Sequence, residues 1–127
     1  TSALHSLVCT NSTCVADTLT WNQVTYTGAF TARAGHTCTA VGGKLFFFGG
    51  GDGNRILNDL WVFDPETRVM TQPHVIGTAP AARCAHSTTL WDGKLLVFGG
   101  GDGNRRFKDL YLLDAEGLLK AAEQATL

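Results

Sequence analysis

Apolar and polar positions along the chain fall into short runs broken by glycine, a rhythm of strands and turns. Arg33 to Val41 reads as a strand running into a Gly42-Gly43 turn. Lys44 to Phe48 follows as an apolar run, which predicts a strand buried on both faces. A glycine-rich loop from Gly49 to Arg55 leads to a third strand, Asp59-Leu60-Trp61-Val62-Phe63-Asp64, closed by Pro65. A fourth, weaker strand is expected before the next Arg-containing segment. Beyond Asp114 the rhythm changes. Apolar residues at 118, 119, 122 and 125, in a helix-forming composition, predict a helical tail over 115–127.

Laying the chain on itself at an offset of fifty residues exposes a repeat. Gly43-Lys44-Leu45-Phe46-Phe47-Phe48-Gly49-Gly50-Gly51-Asp52-Gly53-Asn54-Arg55 falls without gaps on Gly93-Lys94-Leu95-Leu96-Val97-Phe98-Gly99-Gly100-Gly101-Asp102-Gly103-Asn104-Arg105. At the same offset Arg33 matches Arg83, His36 matches His86, Asp59-Leu60 matches Asp109-Leu110, Asp64 matches Asp114, and Trp61 falls on Tyr111. Strands apolar on both faces mean that each small sheet is sandwiched between neighbouring sheets, as a radial stack of blades demands.

A period of fifty, four strands per unit, Arg-x-x-His, a double glycine after the second strand and an aromatic in the third resemble the kelch repeat. The resemblance covers roughly Val15 to Asp114, and it implies an all-β fold built of four-stranded antiparallel propeller blades. Trp21, in Asp17-Thr18-Leu19-Thr20-Trp21, looks like the strand-four tryptophan of a preceding unit. The chain then divides into 1–28 (the end of a preceding blade and a linker), 29–78 (a first repeat), 79–114 (a second repeat with three strands) and the tail. Two departures stand out. Thr67-Arg68-Val69-Met70 occupies the place of a strand-four tryptophan, and the second unit has no fourth strand at all. Propellers close with about four to eight blades, so this set is incomplete. An open fan leaves apolar faces and strand edges exposed. The chain is therefore expected to be a piece of a longer one, with assembly of copies or completion by another protein as the alternatives.

Composition narrows the role. The 127 residues are 44% apolar and 17% charged, with 15 glycines, which is a globular balance for one ordinary domain. Ten basic against eleven acidic side chains give a net charge of -1, so the basic footprint of a nucleic-acid binder is missing. No apolar run approaches the roughly 18 residues of a membrane span. Cys9 and Cys14 bracket Asn11-Ser12-Thr13, a formal glycosylation sequon. A short disulfide there would mean an oxidising, secreted setting. Two free thiols beside a chance sequon are the other reading, favoured because Cys38 and Cys84 stand alone in strand segments as small buried hydrophobes do. No leader is visible ahead of Thr1, although one would be gone from a processed chain. The cytoplasm is the expected compartment.

The Gly-Gly-Gly-Asp-Gly-Asn-Arg loops do not fit a phosphate cradle, since no Lys-Ser or Lys-Thr comes after them. They also lack the late bidentate glutamate of a calcium loop. Gly49, Gly50, Gly99 and Gly100 read instead as structural turn residues, needed for positive φ. In an antiparallel blade the strand two-to-three loop and the connection to the next blade leave from one end. That groups Asp52, Asn54 and Arg55 with Asp102, Asn104 and Arg105 on one rim, reached also by Phe30–Arg33 and Thr78–Arg83. The kelch resemblance implies protein binding on this rim, with arginines reading acidic or hydroxyl-bearing peptides. An Arg fork donates two parallel hydrogen bonds to a carboxylate. Arg55 and Arg105 are the main candidates, while Arg33 and Arg83 are expected to divide between binding and bracing interblade carbonyls. His36 with Cys38 and His86 with Cys84 could each converge on one strand face as zinc ligands, but the histidines follow the repeat and the cysteines do not, so the histidines read as structural; neither metal nor cofactor is expected.

Nothing supplies a nucleophile with a base and an orienting acid. Some kelch-like propellers are enzymes, among them copper-radical oxidases, sialic acid epimerases and iron-dependent specifier proteins. The oxidases need paired tyrosines, and Tyr26 and Tyr111 are the two tyrosines here. The expected role is thus a non-catalytic interaction scaffold. The alternatives are a partial catalytic propeller whose site lies in other blades, and an arc of a multi-chain propeller.

Overall fold

A computed structural model describes residues 7–10, 13–16 and 19–125. At the N-terminus β1 (Leu7–Thr10) and β2 (Thr13–Ala16) pair antiparallel, with the Cys9 and Cys14 backbones opposite each other. Asn11 of the sequon and the side chains of Cys9 and Cys14 lie outside the described residues.

The repeat folds into two antiparallel sheets. The first runs β3 (Thr37–Val41), β4 (Lys44–Gly51), β5 (Ile56–Asp64) and β6 (Val69–Thr71), each strand beside the next in sequence. The second runs β7 (Ser87–Trp91), β8 (Lys94–Phe98) and β9 (Leu110–Leu113) in the same way. Two-residue turns join the first two strands of each sheet, with Val41 opposite Lys44 and Trp91 opposite Lys94. All four turn residues, Gly42, Gly43, Asp92 and Gly93, have positive φ, the geometry that matches the strand twist.

The strand read from Arg33 begins only at Thr37, because Gly35 (φ 72) bends the chain. Its carbonyl thereby turns to accept the Ala85 N–H at 3.0 Å. Ala34 still forms an isolated bridge with Gly51, and Cys84 repeats it with Gly101. Trp21 lies in no strand and is fully exposed, since no sheet edge among the described residues lies beside it to make a strand four. Where the first repeat lacks tryptophan, Met70 of the short β6 is buried instead, 5% exposed. Thr27 flanks that strand on its far side, donating to the Arg68 carbonyl (3.0 Å) and accepting from the Met70 N–H (2.8 Å).

The sheets pack face to face. Val41, Phe46, Val62 and Leu95 form the core with Ala115, and Leu60, Leu113, Leu118 and Leu119 pack around them. The Thr37 hydroxyl joins the sheets through Thr88 Oγ1 (2.6 Å) and His86 Nε2 (3.1 Å). The buried His86 ring stands edge-on to Phe48, and burial lowers its pKa. Helix α1 (Ala115–Ala125) closes one end of this seam. Asp114 caps it by accepting from the Gly117 N–H (3.0 Å), and the Glu116 N–H donates to the Gly93 carbonyl (3.0 Å). Cys38 is exposed and Cys84 half-buried, so the cysteines are not the small buried hydrophobes that the strand pattern suggested. Each lies at or beside the start of a sheet's first strand, outside the seam core.

The double glycine is dictated by close approach. Gly100 has φ 83, and a Cβ there would stand 2.6 Å from the Cys84 carbonyl oxygen. Gly50 repeats this against Ala34 at 2.8 Å. Gly100→Val should therefore lower stability by about 2–4 kcal/mol, from clash and backbone strain together. Thermal unfolding measures it, and an unchanged midpoint would contradict the assignment.

Candidate functional site

The rim is built on an ion pair between a buried arginine and a partly exposed aspartate, repeated once per sheet. Arg33 and Arg83 lie 26 residues before Asp59 and Asp109, which open the aromatic part of β5 and the start of β9. Arg83 donates to both carboxylate oxygens of Asp109 (2.5 and 3.0 Å), to the Gly99 carbonyl (2.9 Å) and to the Ala81 carbonyl (3.0 Å). Its guanidinium also lies 4.2 Å from the Phe107 ring centroid. Arg33 repeats the pattern on Asp59 (2.6 and 3.0 Å), the Gly49 carbonyl (3.2 Å) and Thr31, above the Phe30 ring. Both side chains are all but buried, 2% exposed for Arg33 and 0% for Arg83. Their forks are spent inside their own repeats, and the carbonyls they brace are intrablade, not interblade as the sequence suggested. The Arg83 backbone does contribute to the interblade contact, its carbonyl accepting from the Gly50 N–H (2.9 Å) and its N–H donating to the Leu57 carbonyl (3.1 Å).

Two carboxylates complete these braces. The Arg83 hydrogen bond is the main cause of the lowered pKa of Asp109. At Asp59 partial burial pushes the carboxyl up, but hydrogen bonds from Arg33 and Trp61 and the Arg33 charge outweigh it and leave the pKa lowered. The sequence shows both aspartates as positions shared by the two repeats but gives them no role. Their signal was the spacing, because each keeps the same distance from an arginine in both repeats. Phe107 left no such signal, since Leu57 stands at its repeat position.

Above the braces sit the two rim loops, held in one conformation. Asp52 Oδ1 accepts from the N–H groups of Asn54 (2.9 Å) and Arg55 (2.8 Å), and the Asp52 N–H donates to the Arg55 carbonyl (3.1 Å). Asp102, Asn104 and Arg105 repeat all three bonds at 2.9, 2.7 and 3.2 Å. Those backbone donors, Arg55 before Asn54 and Arg105 before Asn104, hold both aspartates below the usual carboxylate range. Gly53 and Gly103 turn the tips at φ 95 and 94. The aspartates are thus loop staples, and what faces solvent is Asn54, Arg55, Asn104 and Arg105. The arginines differ. Arg105 pairs with Asp102 (3.0 Å) and lies over Phe107, whereas the Arg55 side chain makes no hydrogen bond among the described residues. The interblade connection joins the same end, with Asn58 donating to the Pro80 carbonyl (3.2 Å).

Among the described residues no three of His, Cys, Asp and Glu come together to hold a metal ion. No helix among them is long and apolar enough to cross a membrane.

Antiparallel sheets of four and three strands packed face to face, each with an Arg brace under a double glycine, define blades of a β-propeller of the repeat-protein class. A family model of the KLHDC2/KLHL20/DRC7 Kelch-repeats domain matches residues 2–119, and the chain belongs to the Kelch-repeat family. It is 41% identical over 49 residues to the Rho GTPase-activating protein gacHH of Dictyostelium discoideum, covering 39% of this chain and 3% of that protein. It is 43% identical over 65 residues to acyl-CoA-binding domain-containing protein 6 of Oryza sativa subsp. japonica, covering 50% of this chain and 10% of the relative. An Arabidopsis thaliana acyl-CoA-binding domain-containing protein 4 matches at 36% over 66 residues, again 50% and 10%. The chain thus spans a tenth or less of these relatives. Kelch-repeat domains generally mediate protein–protein interaction and are typically non-enzymatic.

The braces set an acid limit on the fold. Asp59 and Asp109 have lowered folded-state pKa values, so their contribution is complete above the unfolded carboxylate pKa of about 3.9 and is lost as pH falls through the folded values. His86, lowered by burial, adds a loss that begins near its unfolded pKa of about 6.5. Stability should therefore fall in two stages on acidification. Arg83→Met should cost roughly 2–3 kcal/mol at neutral pH and remove the Asp109 share of the lower stage. Urea unfolding across pH measures both effects, and a variant with the wild-type pH profile would rule the brace out.

Proposed function

We propose that this chain is a non-catalytic interaction module whose rim loops bind a protein segment carrying acidic or hydroxyl side chains. The observation that carries the reading is the pair of identical, internally stapled loops. Each Asp holds its loop from below, leaving an exposed Arg and Asn at each tip. A loop already fixed in conformation loses little entropy when a partner docks, which favours binding over a mobile loop of equal charge. Arg55 is the stronger of the two contacts in this reading, because its fork makes no hydrogen bond to Asp52, while Arg105 must exchange Asp102 for a ligand. The four exposed donors suit carboxylate and hydroxyl acceptors. Phe107, beneath Arg105, orients that guanidinium by its ring face.

Neither loop carries a group suited to nucleophilic or acid–base chemistry, which is why binding is preferred to turnover. The test is a peptide array containing acidic, serine-rich and basic sequences, probed with the whole chain. Acidic peptides should be retained, more weakly as salt rises. Arg55→Glu with Arg105→Glu should reduce that binding by about 1–3 kcal/mol and leave the unfolding midpoint unchanged, since neither side chain supports the core. Equal retention of acidic and basic peptides, or unaltered binding by the double variant, would overturn the reading.

A further inference from the structure

The repeat supplies its own template for what covers the open face of the second sheet. In the first sheet Phe48 and Val62 point into the seam and are buried, 7% exposed each. Fifty residues on, Phe98 and Leu112 are 51% and 56% exposed, and Leu110 beside them is 62% exposed. The second sheet therefore presents, uncovered, the same apolar face that the first sheet buries against it.

Its edge is open as well. Met70 of β6 pairs with Phe63 of β5, filling the fourth-strand position, and the connecting segment at Thr27 brackets it. In the second sheet β9 has no such neighbour among the described residues, since the chain turns into α1 after Asp114. Between β9 and the connecting segment at Val75 and Ile76 lies an apolar cavity of about 170 Å³, continuous in its lining with a wider groove that reaches α1. By position, a strand in this slot would set one large side chain opposite Leu113, the repeat partner of Phe63.

The chain carries an unused segment of that kind. Trp21 precedes the positive-φ Gly28 by the same seven positions that separate Met70 from the positive-φ Gly77, so it holds Met70's place in the pattern. Yet Leu19 and Trp21 are 86% and 101% exposed. The described residues thus hold a fourth-strand segment without a sheet and a sheet without a fourth strand.

We propose that a second copy of this chain docks head-to-tail on the open face, with its Leu19-Thr20-Trp21 segment adding to β9 and Trp21 opposite Leu113. The contact continues the established seam between the two sheets. From Trp21 the incoming chain runs through its own Thr27 and Phe30 into its first sheet, as Met70 runs through Ile76 and Pro80 into the second. Phe30 already lies on Phe47 and Trp61, with ring centroids 5.2 and 5.6 Å away. This is a heterologous interface, whose repetition closes a ring if the rotation allows. With the two described sheets contributed by each copy, a propeller of about four to eight blades corresponds to a ring of two to four copies.

The test is the mass of the 127-residue chain by light scattering across concentration, with two variants placed on surfaces exposed in the single chain. Trp21→Ser removes the donor and Leu112→Lys the acceptor, and circular dichroism checks that each keeps its fold. The wild type should reach a discrete multiple of two to four chains, and each variant alone should remain a single chain. Mixed together, the variants should form a two-chain complex and nothing larger, because only one donor and one acceptor are intact. A wild type that stays single at every concentration, variants that associate like the wild type, or a mixture that forms no pair would each overturn the proposal. Acidic-peptide binding by single-chain variants reads the rim separately, so failure of one idea is distinguishable from failure of the other.

Discussion

Everything on the rim rests on a guanidinium placed where water does not reach it. A buried arginine is tolerable only when its charge is paired and its remaining donors are satisfied. Arg83 meets that demand with the Asp109 carboxylate, two backbone carbonyls and an aromatic face. Because the Gly99 carbonyl must turn inward to reach Arg83, the double glycine is forced into positive φ, and the loop beyond it leaves the sheet in a fixed direction. Arg33 imposes the same geometry one repeat earlier. The loops are alike because the braces beneath them are alike.

That arrangement separates two jobs that arginine performs in this fold. The buried pair sets backbone direction, and its hydrogen bonds all run to groups of its own repeat. The exposed pair sits on loops whose own aspartates satisfy the backbone, so guanidinium groups there are released toward solvent to different degrees. Residues that repeat equally in sequence therefore divide by burial into scaffold and surface. Arg105 shows an intermediate condition, since its local carboxylate and the Phe107 ring hold it without burying it.

The seam between the sheets obeys a second constraint, the need of a sheet apolar on both faces for neighbours on both sides. The first sheet has the second on one side and Phe30 with Tyr26 on part of the other. The second sheet has one covered face and one open. Helix α1 closes the end of the seam instead of extending the sheet, because Asp114 caps a helix at the point where Asp64 starts a turn into β6. Identical aspartates at one repeat position thus lead to different structures. The residues next in the chain decide between them, Pro65 in one case and Ala115-Glu116 in the other.

Sequence alone determined the features that depend on local periodicity and on self-matching. The paired sheets, the turns at Gly42-Gly43 and Asp92-Gly93, the rim loops, the missing fourth strand and the helical tail all arise from residues near one another or fifty apart. The fate of each side chain depended on contacts that a linear pattern does not carry. Whether an arginine is buried turned on an aspartate 26 residues away, and whether Trp21 makes a strand turned on the presence of a sheet edge beside it. Cys38 reads as a core position in its strand, yet it is exposed, with no further sheet among the described residues on that side. Propensity and repeat spacing act along the chain, whereas burial and ion pairing are properties of the packed seam, and only the tertiary structure decides them.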